Sequence, residues 1–158
     1  MKVMGIDPGT GRVGYSLVEK SGGKESLLEC GCFETKVNSK LPERLLLIYT
    51  FLKELIKKYN PDEFACESLF FATNAKTAFD VGAARGAILL AAEEAGLPIF
   101  QYTPLQVKSS LTGYGKADKK QVEFMVKNIL KLKEVPKPDD AVDAAAIALT
   151  HLFHSQTH

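Results

Sequence analysis

The chain has 158 residues, a formal net charge of +1, 46% apolar side chains and 25% charged ones. That length supports one core and is short for two large lobes, and the balance is that of a soluble globular protein rather than a disordered or strongly basic one. No apolar run reaches the roughly 20 residues needed to cross a bilayer, and MKVMGID at the start lacks the layout of a signal peptide, which points to a cytoplasmic protein.

Residues 2–7 (KVMGID) predict a short buried strand, and residues 12–19 and 26–35 follow with partial alternation. The turn segments Pro8-Gly9-Thr10-Gly11 and Ser21-Gly22-Gly23-Lys24 make these three an antiparallel meander. Pro42 opens an amphipathic helix over 42–59, with Leu45, Ile48, Leu52, Leu55 and Ile56 at helical spacing. Pro61-Asp62 breaks it, and EFACE (63–67) reads as a strand. A helix rich in small residues spans 74–95 and stops at Gly96, followed by a strand at 97–102. Helices are expected at 104–111 and 118–131, split by Thr112-Gly113-Tyr114-Gly115, and a last one at 140–153. The element order predicts an α/β fold in one domain over residues 1–158: a mixed five-stranded sheet flanked by helices on both faces.

Cys30, Cys32 and Cys66 are odd in number and form no CxxC pair, so they read as buried or half-buried thiols rather than a zinc site. The three histidines, His151, His154 and His158, read as part of a solvated C-terminal tail. Charge is unevenly distributed. Residues 1–100 hold 12 Lys+Arg against 13 Asp+Glu, whereas residues 106–133 hold seven lysines against Asp118 and Glu123. A basic segment beside clustered acids suits a polyanion handled at a cation-loaded site.

The acids are the informative residues. Asp7 ends the first strand and runs into a glycine-rich turn, where it either faces a ligand or caps its own hairpin. Glu67 ends the strand EFACE, and alternation places it with Ala65 on one face, opposite Phe64 and Cys66. Asp140 and Asp143 share one face of the last helix at its start, with Asp139 available as a cap. The AAAIAL run that follows reads as buried, so acids at its mouth require a partner. Four carboxylates, three of them at element ends around the sheet, form a hard-oxygen set suited to Mg²⁺ or Mn²⁺. Two such ions about 3.5–4 Å apart clamp a phosphodiester and activate water. Lys108, Lys116 and Lys119 bracket the glycine-containing loop and suit a phosphate-facing rim. Ala78, Gly82 and Gly86 allow close approach of another helix or of the sheet.

The segments GIDPGTGRVGY, ACESLFFATNAKTAFDVGAARGAI, YTPLQVKSSLTGYGKADKKQV and DDAVDAAAIALTH resemble, in order and spacing, the blocks of the RuvC family of Holliday junction resolvases. The resemblance spans nearly the whole chain. It implies a ribonuclease H-like fold, a homodimer, and paired symmetric nicks across four-way junction DNA in recombination and repair. It also implies two Mg²⁺ ions per site, with Mn²⁺ substituting, and a branch-migration motor complex of the RuvA and RuvB type as partner. Carried over by residue, Asp7, Glu67, Asp140 and Asp143 match the family's metal-binding acids. Phe70 matches the aromatic that stacks on DNA bases, and Lys108 and Lys119 match basic residues near the scissile phosphate, with Lys119 counted among the catalytic groups. Three departures stand out: Ser16 replaces a glycine, Phe71 doubles the aromatic, and Asp139 offers 139/143 as an alternative acid pair to 140/143.

Two rival functions are weighed against this one. An actin-like or sugar-kinase ATPase also begins with a strand, an Asp and a glycine-rich turn, but closes a second lobe over its nucleotide. A non-catalytic DNA-binding module of the same fold would not require four acids.

Overall fold

The structure, a computed structural model, describes residues 1–68 and 75–155. Strands β1 (Lys2–Asp7), β2 (Arg12–Ser21) and β3 (Lys24–Glu34) form the expected antiparallel meander, and β4 (Glu63–Glu67) and β5 (Ile99–Tyr102) add in parallel to β1. The sheet order is β3-β2-β1-β4-β5. The β2–β3 hairpin zips further than the expected boundaries, to Ser21 opposite Lys24. Gly22 and Gly23 both take positive φ (57° and 74°), the backbone that a two-residue turn matched to strand twist demands.

The helices are α1 (Leu41–Tyr59), α2 (Ala75–Glu94), α3 (Pro104–Thr112), α4 (Lys119–Ile129) and α5 (Asp139–His154). Strand alternation splits the core in two. Met4, Ile6, Val13, Leu17, Phe64 and Cys66 face α1 and α2, where Ile48, Leu52, Ala84 and Ile88 meet them. Val3, Val18, Ala65 and Tyr102 face α3, α4 and α5. Capping fixes where α3 and α4 start: Thr103 and Asp118 each accept from the backbone N–H three residues on, and Gln106 and Gln121 reciprocate.

Helix α5 is buried along most of its length and lies very close to the sheet. A Cβ at Gly5 would collide with the Ala144 carbonyl and come within 2.9 Å of Ala148. One at Gly14 would run into the backbone of Asp140. Two glycines on neighbouring strands and an alanine face on the helix are thus one packing solution.

The structure departs from two sequence expectations. His151 does not lie in a solvated tail: it is buried within α5. The AAAIAL face continues through Leu149 and Leu152 into the core, so the helix carries His151 inside with it. Asp139 is not the cap of α5 either. The N-cap is Pro138, with no side-chain bond, and Asp139 is the first helical residue.

Ser16 pairs with Gly5 on the α5 side of the sheet, fully buried, and its hydroxyl has no hydrogen-bond partner among the described residues. A buried unpaired hydroxyl costs about 1–3 kcal/mol. Ser16→Ala is therefore expected to raise the melting midpoint by about 2–4 °C, the shift that ~1 kcal/mol gives a chain of this size. Calorimetry of the two proteins checks it, and an unchanged or lower midpoint would show that the hydroxyl is satisfied in solution.

Candidate active site

Parallel pairing of β1 with β4 brings Asp7 and Glu67, each the last residue of its strand, to the same edge and the same face. The first turn of α5 comes down on that edge, because Gly14, the partner of Asp7 in β2, is the residue on which Asp140 rests. A cleft of ≈ 270 Å³ opens there, lined among others by Asp7, Glu67, Lys108, Lys119 and Asp143, with Val107, Val122 and Ile147 as its apolar walls.

The electrostatics are those of crowded acids. Burial, then the facing Glu67, Asp143 and Asp140, push the Asp7 carboxyl up to about 8. Burial raises Glu67, with Asp143 adding to it and Lys108 opposing. Burial also raises Asp143, against the pull of Lys119. The positive charges present are side chains: Lys119 Nζ lies 3.1 Å from Asp139 and 3.3 Å from Asp143, and Arg12 Nη2 lies 3.2 Å from Asp140.

The five expected residues Asp7, Glu67, Asp143, Lys108 and Lys119 meet in this cleft, and Asp140 stands beside it, held by Arg12. Of the two alternative acids, Asp140 is the one that acts on Asp7. Asp139 is 69% exposed at its side chain and turned to Lys119. Lys116 is exposed and does not line the cleft. Phe70 and Phe71 lie outside the described residues. Arg12 is a site residue that sequence reasoning misses; its one signal is a cation that opens β2 directly after the glycine-rich turn following Asp7.

Among the described residues, no three carboxylate, imidazole or thiolate groups converge tightly enough to hold one ion in this arrangement. In kind the donor set fits a hard divalent cation: carboxylates only, three of them half-buried with raised proton affinity, and only partly compensated by Lys108, Lys119 and Arg12.

The family model for the crossover junction endodeoxyribonuclease RuvC matches residues 3–151. The chain belongs to the RuvC family. Its relatives include RuvC of Pelotomaculum thermopropionicum, 51% identical over 98% of this chain and 94% of that protein. RuvC of Brevibacillus brevis is 50% identical over 96% and 91%. Among solved structures, Thermus thermophilus RuvC superposes with a TM-score of 0.91 at 41% identity, covering 99% of this chain and 96% of the other. The same protein in complex with a Holliday junction substrate gives 0.90. The yeast mitochondrial Holliday junction resolvase Ydc2, at 19% identity and a TM-score of 0.72, shares the fold. The mixed sheet with helices on both faces is thus the ribonuclease H-like arrangement of the RuvC structures.

The raised acids set a pH dependence whose sign is fixed. A carboxyl that binds its proton more tightly in the fold than in the open chain costs nothing below the unfolded value of 3.8. The cost grows as pH rises from there to about 8, where it levels off. Without divalent cations, wild-type stability relative to Asp7→Asn should therefore fall between pH 5 and pH 8. At pH 8 the Asn variant should melt at least about 2–4 °C higher. Parallel melting curves for both proteins that stay a constant distance apart over this range would show that Asp7 is not under this strain.

Proposed function

We propose that residues 1–158 form one nuclease domain that resolves four-way DNA junctions by paired symmetric nicks, working as a homodimer in the cytoplasm on a divalent metal. The observation that carries this reading is the cleft itself: half-buried acids from three separate elements face two lysines in a chain that matches the RuvC family along almost its entire length.

Asp7, Glu67, Asp140 and Asp143 would hold the metal, two Mg²⁺ ions per site with Mn²⁺ as substitute. When bound, the metal supplies charge neutralisation at the phosphodiester and a water of lowered pKa. The protein's own groups do the rest. Lys108 and Lys119 place positive charge on the cleft wall where a phosphate enters, and in the free protein Lys119 neutralises Asp143 and Asp139. Val107, Val122 and Ile147 keep water from that wall, which strengthens every charge interaction inside it. Phe70 is assigned to base stacking near the crossover, worth ~1–3 kcal/mol per base.

One nick per site and a two-fold substrate call for two sites at fixed spacing. Helix α2 offers a seat for the pair: Phe79 and Leu90 are exposed, and Gly82 and Gly86 fall between them at helical spacing, with Ala78 at the border. A branch-migration motor of the RuvA and RuvB type is the partner that would supply the junction.

A labelled four-way junction, a duplex and a single strand, each incubated with and without Mg²⁺, test the reading directly. Cutting is expected on the junction alone, in symmetric pairs, and only with the metal; metal-independent or duplex-directed cutting would refute it. Asp7→Asn should reduce cutting at least about 100-fold while leaving junction affinity in chelator within about threefold. Lys119→Ala should lower turnover about tenfold or more by removing charge at the phosphate. For assembly, Gly82→Leu should shift the sedimenting species from dimer toward monomer and weaken junction binding. A wild type that stays monomeric on the junction, yet makes paired cuts, would exclude the dimer.

A further inference from the structure

At the far end of α5 from the cleft, His151 is 2% exposed and carries a hydrogen bond on each ring nitrogen. The Tyr102 hydroxyl lies 2.7 Å from Nδ1, and Glu63 Oε2 meets Nε2. One neutral tautomer satisfies every group: Tyr102 donates to Nδ1 and the Nε2 N–H donates to Glu63. Phe100 stacks on the ring at 4.3 Å between centroids. The chain thus ties one helix residue to the first residue of β4 and the last of β5.

The same strand and the same helix carry cleft acids at their other ends. Glu63 and Glu67 are the two ends of β4, four residues or about 13 Å apart. His151 and Asp143 are eight residues apart on α5, about 12 Å. The two spans match, and α5 runs opposite to β4, so His151 meets Glu63 while Asp143 faces Glu67. Between these ends α5 rests on glycine through alanine. That line of contact sets how near the helix comes, and Ile147, Leu149 and Leu152 beside it add apolar packing, which has no directional preference. The hydrogen bonds at His151 add the directional contacts that single out one register.

We propose that the hydrogen-bonded Tyr102–His151–Glu63 chain, centred on a buried imidazole, is a register pin: it sets the position of α5 along the sheet and so places Asp143 and Asp140 opposite Glu67 and Asp7. These three are positioning residues, and none of them touches substrate. The proposal rests on the reading of the four acids as the cation site.

Titration calorimetry of the intact protein with Mn²⁺ alone, without DNA, tests it on Glu63→Ala, Glu63→Gln and Tyr102→Phe, with melting curves to confirm folding. Tyr102→Phe and Glu63→Ala should bind Mn²⁺ about tenfold more weakly, the factor expected when the unpinned helix holds the binding register about a tenth of the time. The Mg²⁺ concentration for half-maximal cutting should rise by a similar factor, and junction affinity in chelator should stay within twofold. Glu63→Gln keeps an acceptor for the imidazole N–H and should stay within threefold of wild type. Affinity within threefold of wild type in both Tyr102→Phe and Glu63→Ala overturns the pin. So does equal loss in Glu63→Gln and Glu63→Ala, which would place the effect in charge rather than in the hydrogen bond, and so does a wild type that takes up no Mn²⁺. If Glu63→Ala does not fold, Tyr102→Phe, which loses a single hydroxyl, decides alone. A wild type that binds Mn²⁺ yet cuts no junction overturns the junction reading and leaves the pin to the metal titration.

Discussion

The close seating of α5 on β1 and β2 is the constraint on which the rest of this molecule depends. Gly5 and Gly14 lack the Cβ that would hold the helix away, and Ala144 and Ala148 present the helix side of the contact. The result is a helix N-terminus delivered to the strand ends that carry Asp7 and Glu67. Any larger residue at either glycine would lift the helix and separate the acids before it changed any acid itself.

That seating creates a conflict that the protein tolerates. Asp7 is desolvated and surrounded by like charge, and its carboxyl holds a proton close to neutral pH. Lys119 and Arg12 relieve part of the repulsion from the rim, through partly exposed pairs of modest individual worth. The first turn of α5 adds a favourable term, since the N-terminal end of the helix dipole places positive potential beside Asp139 and Asp140. A site that stores repulsion in this way gains most from a bound cation, which is the electrostatic logic of a metal-dependent nuclease.

Stability and chemistry are divided between the two faces of the sheet. The α1–α2 face is built from larger apolar side chains such as Ile48, Leu52, Phe64 and Ile88. The α5 face is packed more with alanine and valine, carries the buried Ser16 hydroxyl and the His151 cluster, and ends in the cleft. Polar groups sit on the face that must place charges accurately, and apolar bulk on the face that need only hold.

Local rules were enough to read much of this from the sequence. Period-two alternation put Glu67 and Ala65 on one face because side chains on a strand have no other choice. The i, i+3 spacing put Asp140 and Asp143 together because helix geometry is fixed. The four blocks in order carried the family, and with it the expectation that the acids meet. Tertiary structure alone decided what depends on residues far apart in the chain. Asp140 rather than Asp139 acts on Asp7: Gly14 receives the backbone of Asp140, while the side chain of Asp139 stays largely exposed. Arg12, which also pairs with Glu34 across the β2–β3 hairpin, reaches Asp140 only when β2 and α5 are in contact. His151, which by composition belonged to a polar tail, is interior because Tyr102 and Glu63 wait for both of its nitrogens at the end of a helix already committed to the core. Spacing along a chain fixes what neighbours share a face; which distant polar group satisfies a buried one is settled only when the elements pack.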